Sequence, residues 1–293
     1  MGALSGKVAV VTGASRGIGK GYALGLADEG ATIYVTGRTV EPNSFVIPGT
    51  GGEILPGSIT ETAAEVTRRG GKGIPVKVDH GDNTQIAALF EQVKREQGRL
   101  DILCNNATSN PPDVGVNAPF WEKSLDYWQL FEVGVRSAYV AAWHAAKIMI
   151  PQKSGLIVCT SSYAGASYGH GALFDAGKSA LDRLAHGMAQ ELKPHNVTSI
   201  SLWHALTLTE RTQRTLKKFP ERVAHINLSL AQSPELAGRV VAALAKDENR
   251  IRWTGATCIT VELAEAYGIT DLEGKLAPSQ RTTRCAPIWT AIE

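Results

Sequence analysis

The sequence predicts an α/β fold with a doubly wound parallel sheet. Apolar, β-branched runs recur along the 293 residues, and amphipathic helical stretches separate them. Such near-continuous apolar strands are typical of a parallel sheet with helices on both faces. The composition, 43% hydrophobic and 20% charged, is that of an ordinary globular protein.

Seven strands are predicted, and right-handed crossovers between them give a doubly wound arrangement. In chain order they are KVAVVTG from Lys7, TIYVTG from Thr32, GIPVKVD from Gly73, DILCNNA from Asp101, GLIVCTSS from Gly155, VTSISLWHA from Val197 and ATCITVELA from Ala256. No internal repeat or linker divides the chain, so residues 1–293 are expected to form a single domain.

Two segments interrupt the alternation of strand and helix. Residues 39–58, after the second strand, are rich in Pro and Gly and are expected to form an ordered insertion. Residues 206–235, after the sixth strand, are polar and helical in places. Because ligands bind beyond the carboxyl ends of parallel strands, this second segment is expected to be a flap that covers a substrate.

Charge and hydropathy exclude several classes of partner. A net charge of +2 predicts neither a nucleic-acid nor a membrane surface. The most apolar window, AYVAAWHAAKIMI, is too short to span a bilayer and contains His144 and Lys147. The N-terminus has no basic region followed by a cleavage site, so a cytoplasmic protein is expected. The four cysteines form no CxxC motif, and no metal site is predicted.

A glycine-rich turn, VVTGASRGIGKG, leads directly from the first strand into a helix. Gly13, Gly17 and Gly19 allow a tight turn that brings backbone amides against a pyrophosphate. The positive end of the helix dipole would stabilise that anion. The position of the turn, in a βαβ unit at the start of the chain, predicts a dinucleotide site.

The chain resembles the short-chain dehydrogenase/reductase family from about Lys7 to about Leu263. The TGxxxGxG signature of that family is matched by Thr12 and the three glycines, and its NNAG motif is nearly matched by Asn105, Asn106 and Ala107, with Thr108 in place of the glycine. The resemblance implies a Rossmann-type fold with strand order 3-2-1-4-5-6-7, a nicotinamide dinucleotide and a homodimer or homotetramer.

The residues after the second strand favour NADP(H) over NAD(H). An acidic residue there would repel a 2′-phosphate, but this chain has Arg38 and Thr39, with Arg16 in the glycine turn. Two guanidinium groups suit a phosphate dianion. The complete set of predicted cofactor contacts is Gly13, Ser15, Arg16, Gly17, Ile18, Gly19, Arg38, Thr39, Asp79, Asn106, Ala107, Lys178 and Thr209.

The catalytic half matches the family incompletely. The resemblance assigns Ser162 to the serine that polarises the substrate oxygen and Lys178 to the lysine that holds the nicotinamide ribose. Phe174, four residues before Lys178, occupies the place of the proton-exchanging tyrosine and has no acidic proton. The place of the supporting asparagine falls near Gly134. Proton transfer is therefore predicted to be impaired or altered.

Other side chains are candidates to replace the missing acid. Tyr163, Tyr168 and His170 lie between Ser162 and Phe174, and His204 lies where the family contacts the nicotinamide. Tyr168 and His204 are the preferred pair, because a histidine there could donate a proton near neutral pH.

The aromatic cluster NAPFWEKSLDYW could line an apolar substrate pocket or pack in the core. The leading functional hypothesis is an NADP(H)-dependent oxidoreductase that transfers hydride between nicotinamide and a small-molecule carbonyl or alcohol. The alternatives are a cofactor-binding pseudoenzyme, scaffold or sensor, and other chemistry in the same pocket, such as imine reduction, cyclisation or isomerisation.

Overall fold

The computed structural model describes residues 2–48, 50–111, 118–224 and 226–292. Within these residues, seven parallel strands form one sheet in the order β3-β2-β1-β4-β5-β6-β7. The strands are β1 (Val8–Val11), β2 (Thr32–Gly37), β3 (Lys72–Lys77), β4 (Ile102–Asn105), β5 (Gly155–Ser162), β6 (Val197–His204) and β7 (Thr257–Ile259). This order confirms the predicted doubly wound α/β fold.

Helices cover both faces of the sheet. They are α1 (Gly17–Ala27), α2 (Ile59–Arg68), α3 (Asn83–Gln97), α4 (Ser137–Gln152), α5 (Ala172–Leu192), α6 (Glu210–Lys218), α7 (Pro220–Val223), α8 (Pro234–Lys246) and α9 (Thr260–Ala266). A π-helical segment, Leu130–Arg136, leads into α4. A π-helix has a wider turn than an α-helix and is found mostly as a short segment of this kind.

The burial of β1 explains its unbroken apolar sequence. Ala9 and Val11 pack into the core on the face covered by α1 and α8, whereas Val8 and Val10 pack into the core on the face covered by α3 and α4. Because successive side chains of a strand point to opposite faces, a strand buried on both faces needs apolar residues at every position.

Side-chain hydrogen bonds cap the N-termini of α2, α3, α6 and α8. Ser58 caps α2 by accepting from the Glu61 amide (3.1 Å), and Asp82 caps α3 by accepting from the Thr84 amide (2.8 Å). Ser233 caps α8 in the same way, and Pro234 occupies its first position. Helix α1 differs, because the side chain of its N-cap residue, Arg16, accepts no hydrogen bond from the amides of the first turn.

The loop at residues 39–58 and the segment at residues 206–235 are joined by ion pairs. Glu53 accepts a hydrogen bond from Arg214 Nε (2.7 Å), and Lys218 Nζ lies 2.6 Å from its carboxylate. These contacts connect α6 to the loop after β2. Gly49 and His225, which belong to the two segments, lie outside the described residues.

In the part of the chain that the structure describes, no helix has both the length and the apolar character needed to cross a bilayer.

Candidate active site

The glycine turn packs closely against the loop that follows β4. Thr12 Oγ1 accepts hydrogen bonds from the amides of Asn106 (2.8 Å) and Ala107 (3.0 Å). The side-chain amide of Asn106 donates to the carbonyl oxygens of Thr12 (3.0 Å) and Gly13 (2.9 Å). A Cβ at Gly19 would lie 2.3 Å from the Gly13 oxygen, so only glycine fits there. The predicted residues are therefore brought together in one compact turn.

The N-terminus of α1 carries an anion supplied by the chain itself. The Gly17 amide donates a hydrogen bond to Oε2 of Glu210 at 2.8 Å. The adjacent residue, Thr209, caps α6 and lies against Gly17, where an added Cβ would be 3.3 Å from its methyl group. A carboxylate on this amide indicates that the helix N-terminus binds anions, as the family's pyrophosphate would require.

A cleft of about 410 Å³ runs along the carboxyl edge of the sheet beside this turn. All but one of the predicted cofactor contacts line it or lie in the turn. Those lining the cleft are Gly13, Ser15, Arg16, Gly17, Ile18, Arg38, Thr39, Asp79, Asn106, Ala107 and Thr209. Gly19 packs against Gly13 within the turn and does not line the cleft. Lys178 lies beside a separate, smaller cavity.

The two predicted arginines have different surroundings in the cleft. Arg38 is exposed. Arg16 instead donates to the carbonyl oxygens of Pro56 (2.8 Å) and Gly57 (2.5 Å), and its guanidinium lies 4.7 Å from the ring centre of Phe45. Burial lowers the pKa of Arg16, and nearby Glu210 partly offsets that effect. The insertion therefore holds Arg16 through its backbone.

Phe174 and Lys178 are adjacent on α5, as their spacing of four residues predicts. Lys178 Nζ lies 5.5 Å from the centre of the Phe174 ring and donates to the Thr160 carbonyl oxygen (3.1 Å). Burial lowers the pKa of Lys178 to about 8, although Asp182 opposes the shift. The lysine is thus held at the end of β5 beside a ring that carries no hydroxyl.

Asn106, Thr108, Gly134, Phe174 and Lys178 line a cavity of about 30 Å³. This cavity shares the lining residues Asn106, Ala107 and Thr108 with the larger cleft and is therefore adjacent to it. It is large enough for about one water molecule. Gly134, in the π-helical segment, contributes no side chain where the family has an asparagine.

The remaining candidate residues, at the end of β5 and on the loop after it, have different environments. Ser162 accepts a long hydrogen bond from the Ala164 amide (3.4 Å). Tyr163 is buried, and its hydroxyl accepts from the Gln280 amide (3.2 Å). Tyr168 is 78% exposed. The ring centre of His170 lies 4.8 Å from that of Phe174.

His204 is buried in a polar network under the sheet edge. Its Nε2 lies 2.8 Å from the Tyr22 hydroxyl, and its Nδ1 lies 2.9 Å from Thr260 Oγ1. Thr260 Oγ1 also donates to the Trp203 carbonyl oxygen (2.8 Å), and Gln232 Nε2 lies 3.4 Å from His204 Nδ1. Burial lowers the pKa of His204 to about 3. The ring is therefore neutral at pH 7 and fully engaged.

Sequence reasoning missed two charged residues in the cleft, Glu210 and Arg211. Both line it, and burial beside Arg214 lowers the pKa of Arg211. The one available signal was the charged pair directly after Thr209, at the first positions of a polar helix. That signal did not reveal that this helix begins against Gly17.

Comparison with known proteins agrees with this geometry. A family model described as short chain dehydrogenase matches residues 7–49 and 53–219. The mouse protein "Dehydrogenase/reductase SDR family member 1" is 38% identical over 282 residues, which cover 93% of this chain and 85% of that protein. The human protein of the same name is 36% identical over 284 residues, with the same two coverages, 93% and 85%.

Solved structures that bind NADP are also similar. A putative NAD(P) dependent gluconate 5-dehydrogenase from Beutenbergia cavernae, with bound NADP, is 27% identical with a TM-score of 0.72, covering 88% of this chain and 96% of that one. A metagenomic short-chain oxidoreductase in complex with NADP is 29% identical with a TM-score of 0.65, covering 84% and 93%. With its seven-stranded sheet and glycine turn, this chain belongs to the short-chain dehydrogenase/reductase family.

Proposed function

We propose that this oxidoreductase-family protein is an NADP(H)-dependent enzyme that transfers hydride between nicotinamide and a carbonyl or alcohol substrate. Membership of the family and its NADP-bound structural neighbours support a nicotinamide cofactor. The observation that carries the proposal is the glycine turn, where Gly13 and Gly19 admit no side chain and the Gly17 amide already binds an anion. A pyrophosphate has the charge and acceptor oxygens that this turn requires.

The preference for the phosphorylated dinucleotide rests on Arg38 and Arg16. Arg38 is exposed directly after β2, where a 2′-phosphate would lie, and the next residue, Thr39, is not acidic either. Arg16 would contribute charge from the turn while bonded to Pro56 and Gly57. Asp79, which follows β3 and lines the same cleft, would contact the adenine.

Bound NADPH would supply the hydride, and the chain would supply orientation. In this proposal Ser162 holds the substrate oxygen and Lys178 holds the nicotinamide ribose. At pH 7, Lys178 is mostly protonated, since its pKa is about 8. Because Phe174 has no proton to give, the chain lacks a step worth about 10² to 10⁴ in rate. Slow or altered turnover is the expected result.

The source of the proton is revised by the geometry. Burial lowers the pKa of His204 to about 3, so the ring carries no imidazolium proton at pH 7, and we do not propose it as the acid. Tyr168 remains a candidate, because it is exposed on the loop after Ser162. We also propose that residues 206–235 form a flap that covers the substrate. We further propose a single-domain organisation, a cytoplasmic location and assembly into a homodimer or homotetramer.

A cofactor-binding protein without turnover is the second candidate. The cavity of about 30 Å³ beside Lys178 favours it, because a nicotinamide ring needs more space than one water molecule. In that case the cleft would bind the dinucleotide and no substrate would be reduced.

Calorimetric titration with NADPH and NADH tests the proposed function. We expect tighter binding of NADPH and, for Arg38→Gln, a roughly tenfold loss of NADPH affinity with little change for NADH. Arg95→Gln is the matched control, since Arg95 is exposed on α3 away from the cleft. No heat with either nucleotide would contradict the proposal, and equal losses for both would contradict the role of Arg38.

A further inference from the structure

An apolar cavity of about 510 Å³ adjoins the candidate site. Aromatic and aliphatic side chains form most of its wall, namely Phe120, Leu125, Tyr127, Trp128 and Leu173. Sites for small molecules typically measure about 300–1,000 Å³, so the cavity has the size of a ligand pocket. Phe174 lines both this cavity and the small one beside Lys178. The apolar cavity is therefore adjacent to the proposed centre of catalysis.

The sequence left open whether the aromatic cluster NAPFWEKSLDYW lines a substrate pocket or packs in the core. The exposure of its side chains distinguishes the two. Phe120 is 68% exposed, Trp128 is 55% exposed and Leu125 is 94% exposed. Only Tyr127, among the aromatic residues of the cluster, is buried. Large apolar side chains that face water gain free energy when a ligand covers them. The cluster is thus a surface suited to ligand binding rather than a packed core.

The polar groups of the cavity limit the class of ligand. Lys123 is the one charged side chain that lines it within the described residues. Its Nζ donates to the His170 carbonyl oxygen (3.3 Å) and lies 5.2 Å from the ring centre of Tyr127. The ammonium group is therefore engaged by contacts within the chain. An uncharged, apolar ligand matches this wall better than a sugar or a carboxylic acid does.

We propose that this cavity binds the body of the substrate, and that the substrate is an uncharged carbonyl compound or alcohol with a large apolar skeleton. The proposal rests on the proposed function and adds the substrate class. Small polar carbonyl compounds would leave the aromatic wall exposed and gain little from binding there.

Calorimetric titration with 2-decalone, with and without NADPH, tests the substrate class. We expect 2-decalone to bind more tightly than cyclohexanone and pyruvate to give no heat. Leu125→Asp should weaken 2-decalone binding roughly tenfold, because it places a charge on the apolar wall. Leu272→Asp is the matched control, since Leu272 is an exposed leucine that does not line the cavity.

The outcomes separate this inference from the proposed function. Binding of NADPH without binding of 2-decalone, or equal 2-decalone affinity in the two leucine variants, would overturn the substrate class alone. If the protein bound 2-decalone but gave no heat with NADPH, the apolar site would be supported and the proposed cofactor contradicted. If sedimentation revealed an oligomer that only Leu125→Asp dissociates, the wall would be a contact between copies of the chain, and the substrate class would be rejected.

A second inference concerns Glu210, which occupies the place where a cofactor phosphate would bind. Helix α1 lacks a side-chain cap from Arg16, and the carboxylate of Glu210 accepts the Gly17 hydrogen bond instead. The ion pairs of Glu53 with Arg214 and Lys218 hold α6 in this position. Two anions cannot share one amide, so a bound pyrophosphate and this contact exclude each other.

We infer that Glu210 is an internal competitor of the cofactor. In the ligand-free chain its carboxylate binds the α1 N-terminus, and the dinucleotide must displace it and move the start of α6. The proposed function supplies the ligand, and Glu210 weakens its affinity. This contact adds a conformational step to cofactor binding.

NADPH titration of Glu210→Gln tests this competition. We expect roughly tenfold tighter binding than in the wild type, because the neutral amide competes less well for the Gly17 hydrogen bond. Glu248→Gln, an exposed position after α8, removes the same charge and should leave the affinity unchanged. Glu210→Ala should also lower the melting temperature of the ligand-free protein but not that of the NADPH-saturated protein.

Equal or weaker NADPH binding by Glu210→Gln would reject the competition and leave the proposed function intact. An absence of heat with both the wild type and Glu210→Gln would reject both.

Discussion

Gly19→Ala should lose at least about a hundredfold in NADPH affinity. The new Cβ would lie 2.3 Å from the Gly13 carbonyl oxygen and 2.5 Å from the Asn106 side-chain nitrogen. Neither atom can retreat freely, because Asn106 donates to the carbonyl oxygens of Thr12 and Gly13. The turn must therefore open and displace its amides. Loss of two hydrogen bonds to charged oxygens costs at least about 3 kcal/mol, which is a factor of about one hundred.

The same clash should also reduce stability. Adding a methyl group to a closely packed site costs about 1–3 kcal/mol in the free energy of unfolding, which thermal denaturation would detect. Gly187→Ala provides the control, because its Cβ would meet only the flexible end of Arg183 at 3.4 Å. That variant should bind NADPH normally and be slightly more stable, since alanine favours a helix. Normal NADPH binding by Gly19→Ala would contradict a pyrophosphate site in this turn.

The parts of the site that the sequence predicts well depend on local chemistry. The glycine turn follows a strand directly, and a spacing of four residues places Phe174 beside Lys178 on one helix. The strand order follows from the resemblance to the family. Burial of the sheet on both faces follows from continuous apolar runs such as that of β1. Each inference used residues close together in the chain or a motif with fixed geometry.

The parts that the sequence could not predict depend on contacts between distant segments. Glu210 is 193 residues from Gly17, and no periodicity relates them. Arg16 reads as a free cation in the sequence, yet the carbonyl oxygens of the insertion bind it. His204 ends β6, and its environment depends on how Tyr22 and Thr260 pack around it. The sequence suggests a proton donor there from residue type alone, whereas burial, which the sequence does not reveal, lowers the pKa of His204 to about 3.

Phe174→Tyr should raise the rate of NADPH-dependent carbonyl reduction by about 10² to 10⁴. The hydroxyl would be added to a ring whose centre lies 5.5 Å from Lys178 Nζ. A nearby ammonium lowers the pKa of a phenol, so the new group could exchange a proton near neutral pH. Initial rates of NADPH oxidation, measured at 340 nm with 2-decalone and cyclohexanone, would give the ratio. Phe174→Leu is the matched control and should give no gain.

The double variant Phe174→Tyr/Lys178→Met distinguishes a restored catalytic pair from a mere change of shape. If the tyrosine acts as an acid that depends on the lysine charge, the gain from Phe174→Tyr should largely disappear in the Lys178→Met background, since groups that act as a unit are not additive. An equal gain in both backgrounds would mean that the hydroxyl works without Lys178. No gain in either background, with NADPH binding intact, would favour a protein that binds the cofactor without turnover. The size of this coupling therefore decides whether Phe174 alone separates this site from an ordinary reductase.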